Sequence, residues 1–332
     1  MKARLFVLFV AATLTTTPLM AQDTALCPAT TNAQRISQDA CQKAVDLFRY
    51  MAPQLGTSIT GGNATLGQGG SLGGLGHFTV GLRVNVVQGS LPQVQNVTPS
   101  AGGAVSNTFE TKDQFIPMPT ADLSIGIFKG LPLAITNVGG VDLLVSAAYL
   151  PEFDNDGVSI KVPSGSLKLG YGARVGILQE SLLVPGISVS YLVRDLPKVN
   201  VAGTSGNDSL YVNNLSLKTK AWRVVASKSL LFIGLAAGFG QDKYDASTDI
   251  GAHIAARTVP PSPAANASPV SISQNLTRTN VFADVTMNLL LFKLTGEIGQ
   301  VSGGTINTFK TFSGKQAADS RIYGSVGARF GF

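Results

Sequence analysis

Few residues in this chain could make or break bonds. There are two histidines, His77 and His253. Asp154 and Asp156 stand in the run Asp-Asn-Asp-Gly157. Paired carboxylates beside an imidazole are the minimum for general-base hydrolysis. Nothing places His253 beside a nucleophile or beside those acids, so the acids read as a solvated turn, His253 as a loop residue, and no enzyme activity is assigned. The same turn lacks the further ligands and the glutamate of a calcium loop. Cys27 and Cys41, the only cysteines, are 14 apart, and no histidine lies near them. In an oxidising compartment such a pair predicts a disulfide, the alternative being two unpaired small apolar residues; no metal or cofactor is expected. Residues 56–76 are chargeless and rich in glycine. They lack the strand, helix and lysine that a phosphate-binding loop requires.

The remaining candidates do electrostatics. Arg83, Lys168, Arg174, Arg194, Lys218, Lys220, Arg223, Arg278, Lys293, Arg321 and Arg329 fall on the polar side of alternating segments, with Asp122, Asp142, Asp242, Asp284 and Glu297 as the acidic counterpart. If that side lines a lumen, the basic excess selects anions, because rings of basic side chains discriminate by charge. The competing reading is a packed core of ion pairs that seals the lumen, since a buried charge left unpaired is expensive.

These residues need elements to position them. Lys2 and Arg4, the mostly apolar run Leu5–Leu14 and a small residue at Ala21 form a signal peptide over 1–21. The apolar run is too short to span a bilayer. A helical spacing follows through Ala40, Cys41, Ala44, Val45, Phe48 and Met51, with Ser37 as its cap and Pro53 as its stop. From His77 the period becomes two. Phe78, Val80, Leu82, Val84 and Val86 alternate with polar or small residues, and the pattern recurs at 167–175, 187–194 and 321–332. Weaker versions lie at 120–128, 140–150, 209–227, 230–244, 273–287 and 289–301. Near Ala221-Trp222 the alternation slips by one residue, which predicts a bulge.

Ten strands result, with long polar links after the odd-numbered ones (89–119, 151–164, 196–208, 245–272, 302–319) and short links after the even-numbered ones. That asymmetry is the signature of a transmembrane β-barrel. Composition agrees. Charged residues are 13% of the 332 against roughly 25% in globular chains. There are 37 glycines, and the mean hydropathy is +0.24. Disorder is excluded, and so is a helical membrane span, since no segment of about 18 residues beyond the signal peptide is free of charge or breakers. Without residues 1–21 the net charge falls from +6 to +4, with no basic run, so no nucleic-acid partner is expected.

The end of the chain, Ala328-Arg-Phe-Gly-Phe332, resembles the closing strand of Gram-negative outer-membrane β-barrel proteins. The resemblance implies that Phe330 and Phe332 are read by the barrel-assembly machinery. It also implies an outer-membrane location in contact with that membrane's lipid. A Gly-rich segment ahead of the first strand is similar in layout to the long-chain fatty-acid transporter family. Members of that family are longer, usually have fourteen strands and carry an Asn-Pro-Ala motif not found here, so no transporter residue is carried over.

The expected fold is therefore all-β: an antiparallel up-and-down transmembrane barrel of about ten strands (twelve to fourteen possible) over 77–332. A helix and a plug-like Gly-rich segment over 22–76 precede it, facing the periplasm or the lumen. The expected function is passive or gated passage of a small solute, anionic or hydrophobic, past an N-terminal plug. The alternatives are a closed structural or adhesive barrel that recognises partners through its outer loops and, below that, a surface hydrolase.

Overall fold

The computed structural model describes residues 25–29, 34–93, 100, 102–155, 158–205, 207–258, 261–262, 264–289 and 292–331. The signal-peptide segment and Phe332 lie outside them. Ten long strands form the wall: β1 (Phe78–Pro92), β2 (Thr111–Phe128), β3 (Gly140–Tyr149), β4 (Leu167–Leu178) and β5 (Gly186–Asp195). They continue with β6 (Asp208–Leu230), β7 (Ile233–Ile254), β8 (Ala265–Leu289), β9 (Phe292–Ser302) and β10 (Arg321–Gly331). Each pairs antiparallel with its neighbours in sequence, and β1 pairs with β10. The ladder therefore closes on itself, leaving no free edge at membrane level among the described residues; above it the short segments Val199–Ser205, Val158–Lys161 and Phe153–Asn155 extend the sheet from β6.

Side-chain alternation divides the outer face into two zones. On β8 the outward residues from Val281 to Leu289 are apolar: Val281, Ala283, Val285, Met287 and Leu289. Nine residues match the length a tilted strand needs to cross the hydrocarbon layer. Aromatic rings edge the zone, with Phe292 packed on Phe330 at the short-turn end and Trp222 edge-on to Phe239 at the other. Above it the outward residues of β8 become Ser271, Ser273, Asn275, Thr277 and Thr279. β8, 25 residues long, runs roughly 80 Å, or roughly 55 Å of height at a 45° tilt, against a belt of about 25 Å. The long-loop end therefore stands well clear of the membrane.

The inner face inverts at the same level. Below it, inward positions of β6 and β7 carry Arg223, Ser227 and Asp242, with the apolar Val225 and Ala236 among them. Above it they are apolar: Leu215, Leu217, Tyr244, Ala246 and Ile250, which with Ile272 and Leu276 form the largest core. The slip in alternation at Ala221-Trp222 is this inversion and not a bulge. β6 keeps one continuous register through Trp222 with both β5 and β7, and its irregularity lies between Asn213 and Ser216. Much of the predicted loop 245–272 is likewise strand, because wall with water outside carries its apolar residues inside.

That core is completed by a helix within the barrel, α1 (Gln34–Thr60). It starts before the predicted cap, Ser37, which lies inside it, and it does not stop at Pro53. Proline deletes one backbone donor and normally kinks or ends a helix. Here the wall holds the next turn: Gln54 Nε2 donates to Ser90 O, and Ser90 N donates to Gln54 Oε1 at 2.7 Å. Thr57 Oγ1 also donates to the Pro53 carbonyl at 3.0 Å. Ala44, Val45 and Ile59 are fully buried. A disulfide joins Cys27 to Cys41.

Candidate functional site: the plugged lumen

α1 enters at the long-loop end, where Ile36 and Ala40 pack on Ala252 and Ile254 near the top of β7. It descends to the level of the membrane belt, and residues 61–76 carry the chain to His77 at the short-turn end. Two layers hold this segment.

The upper layer is an apolar core with one buried ionic knot. Asp39 pairs with Lys43 at 2.7 Å and with Lys310 of the β9–β10 link at 2.5 Å. It also accepts from the backbone N–H groups of Ser100 and Val105. Burial alone would raise the Asp39 pKa, but the hydrogen bonds from Lys310, Lys43 and Ser100 outweigh it and hold the carboxyl below its ordinary 3.8. Two turns later Asp46 behaves oppositely. Burial pushes it above the ordinary value although Phe309 N and Lys310 N donate to it.

The lower layer is polar and meets the plug through its backbone. The C-terminal turn of a helix presents unpaired carbonyls and the negative end of its dipole. Here arginines of the wall take them. Arg194 donates to Thr60 O at 2.8 Å, Arg223 to Gly61 O and Gly62 O at 3.0 Å each, and Arg83 to Asn63 O at 2.7 Å. Asn280 adds a bond to Gly61 O at 2.9 Å. The plug's N–H groups go to wall carboxylates: Gly62 and Asn63 to Glu297, Gly67 to Asp284 and Leu72 to Asp142. Ion pairs complete the ring. Arg83 and Arg194 share Asp122, Arg174 holds Asp142 and Arg223 holds Asp242.

The wall makes room for this backbone with glycine. A Cβ on Gly126 of β2 would stand 2.3 Å from the Gly74 carbonyl oxygen, closer than van der Waals contact permits. Gly74 itself has φ +95°, a conformation that disfavours other residues.

The sequence-selected residues separate into four sets. Arg83, Arg174, Arg194, Arg223, Arg278, Asp284 and Glu297 are buried and face inward. Lys293 and Arg329 face a vestibule at the short-turn end. Lys168 keeps the inward parity of Gly170 and Arg174, opposite Ala148, and is exposed at the upper rim of β4. Lys218 and Lys220 depart from expectation: they are exposed on the outside of β6 above the membrane belt. They were assigned inward because polar was equated with lumenal, which fails above the inversion. Phe330 is near the short-turn end, packed against Phe292.

No hydrolytic cluster assembles among the described residues. His253 ends β7, exposed, with Nδ1 2.6 Å from Asn266 Oδ1. Asp154 is exposed and near Lys161. Asp156 lies outside the described residues, and His77 is at the opposite end of the barrel. The sequence reading passed over Asn63, Asn280 and Tyr323. Tyr323 donates to Asn280 Oδ1 at 2.7 Å. For Asn280 and Tyr323 the only sequence signal was a polar or amphipathic side chain at inward parity; Asn63, in the Gly-rich segment, had none.

No family model and no curated protein matches the chain. Among solved structures it is similar to the Pseudomonas putida toluene transporter TodX, at 10% identity and TM-score 0.32, covering 86% of this chain and 96% of that one. It is also similar to the Ralstonia pickettii toluene transporter TbuX, at 13% identity and TM-score 0.28 over 86% and 97%. A third is OmpT, an outer membrane protein of Vibrio cholerae, at 11% identity and TM-score 0.21 over 77% and 96%. The fold rests on the chain's own closed ladder and apolar belt: this is a ten-stranded antiparallel transmembrane β-barrel with its lumen filled from its own N-terminal side.

Proposed function

We propose that the protein is an outer-membrane channel held shut by residues 34–76, which must be displaced for a small solute to pass. Residues 1–21 serve as its export signal, and the long-loop end faces the outside, the orientation usual for such barrels. One observation carries this reading. At membrane level the wall groups that meet the plug's backbone are charged, paired with one another and hydrogen-bonded to that backbone. A wall of that composition remains compatible with water once the plug leaves, whereas an apolar filling would leave it collapsed or dewetted.

Single-channel recording in planar bilayers tests it. Refolded protein should be silent or nearly so, and a variant lacking residues 34–76 should open in discrete steps. Silence from that variant, shown folded by its resistance to unfolding in detergent, overturns the channel reading. It would favour a closed barrel that carries its extension and loops outside for recognition, a reading supported by the apolar core above the belt.

A further inference from the structure

The inner wall contains two like-charge pairs placed directly opposite each other on adjacent strands. One is acidic: Asp284 of β8 faces Glu297 of β9. The other is basic: Lys293 of β9 faces Arg329 of β10. Like charges in that position repel. The acidic pair is relieved by the plug, which supplies N–H donors to both carboxylates.

The basic pair has only longer-range relief: Glu180 acts on both cations and Asp284 on Arg329, neither in direct ion-pair contact. Arg329 donates to the Gln68 side chain at 2.7 Å and to the Gly67 carbonyl, both neutral, and its Nε has no partner. Lys293 has no hydrogen-bond or ion-pair partner among the described residues, and neither cation has a carboxylate within ion-pairing distance. Arg329's other cross-strand neighbour is Gly81, which offers no side chain. Every other inward arginine has a carboxylate, several carbonyls or an aromatic ring.

The two cations, neither in a direct ion pair, border a cavity of about 230 Å³ at the short-turn end, beneath the plug. Ser71, Ser227 and Ser229 add hydroxyls to its lining. Glu180 also borders it and keeps its charge, accepting from the neutral Ser229 N and Ser227 hydroxyl, so the lining carries two cations against one carboxylate. We propose that this vestibule is a binding site for a small free oxyanion, a phosphate or carboxylate. In it Lys293 and Arg329 supply the charge, and the N–H groups of the guanidinium not taken by Gln68 and Gly67 supply donors. Gln68 and Gly67 of the plug already hold the other face of that guanidinium, so the anion docks against the plug itself. The site stands on this geometry and does not require that the barrel conduct.

Calorimetric titration of the refolded protein in zwitterionic detergent, with inorganic phosphate as probe and chloride as background, tests the proposal. Saturable binding at one site is expected. Lys293→Gln and Arg329→Gln should each weaken it at least about tenfold, the loss expected for one charge-assisted hydrogen bond. Lys218→Gln, on the outer face, should leave it unchanged. Far-ultraviolet circular dichroism and gel mobility of the unheated protein confirm folding of each variant. The single substitutions each leave one cation in place and remove like-charge repulsion, so they are the variants least prone to misfold. Absence of saturation by phosphate and succinate alike overturns the site. So does binding that survives in both variants, or binding only of a short-chain phosphatidylglycerol, which would make the ligand a lipid headgroup. Phosphate binding by a barrel that never conducts would keep the site and overturn only the channel.

Discussion

Asp39 is the residue on which the outer half of the plug turns. Its side chain and those of Lys43 and Lys310 are almost wholly buried, so each charge depends on the others. Breaking a buried pair by removing one partner costs about 3–5 kcal/mol. Asp39→Asn should therefore destabilise the protein by about that much at neutral pH, read from the denaturant midpoint. The pH dependence follows from the sign of the shift. The folded carboxyl lies below its ordinary 3.8, so its stabilising effect is fully present above that value and is lost as pH falls through the folded one. Unfolding curves should lose this contribution on acidification, and Asp39→Asn should flatten it. Asp46, shifted upward by burial, contributes in the opposite sense and favours the folded state as pH falls. Little of this was legible in the sequence. Asp39 and Lys43 show the four-residue spacing of a helical pair, but Lys310 reaches them from a link some 270 residues away, and no local pattern encodes that contact.

At the scale of elements, α1 and residues 61–76 are held by different forces and should loosen separately. α1 sits in an apolar core; the segment below it is fixed by hydrogen bonds and by space left at glycines such as Gly126. Gly126→Val would fill that space while suiting a strand. Amide exchange should then speed up at least about tenfold over residues 67–76 and remain unchanged over 40–55. Acceleration across both would show that the plug moves as one body. The strands were the most readable elements, since all ten appear where period two predicted them. The helix was readable in its position but not its length, because whether Pro53 ends a helix depends on Gln54 finding Ser90 across the lumen.

For the whole molecule, the two-zone wall sets what each position tolerates. Val285 faces lipid within the belt, and Val285→Arg should cost about 2–4 kcal/mol if it lies near the midplane. Ser273→Arg, on the same outer face above the belt, should change stability little; equal losses at both would place the membrane wrongly. Lys243→Cys should react with a membrane-impermeant maleimide on intact cells, which fixes the long-loop end as the outer one. The same two zones explain where sequence reading failed. An alternating pattern records which face is greasy, but it does not record whether that face meets lipid or a core. Lys218 and Lys220 were misplaced for that reason, while Arg223, three residues further toward the membrane, was not.

The path of α1 also constrains how the molecule can be built. The chain traverses the barrel's interior once before its first strand begins, so residue 27 and residue 77 lie at opposite ends. A finished cylinder would have to admit a helix about 40 Å long, capped by a disulfide, through a ring already closed. Wrapping would avoid that passage: strands assembling around a rod already in place would need only the ladder between Phe78–Pro92 and Arg321–Gly331 to close the ring. The rod is then a mandrel as much as a stopper, and its loss would be felt first in the yield of closed barrels.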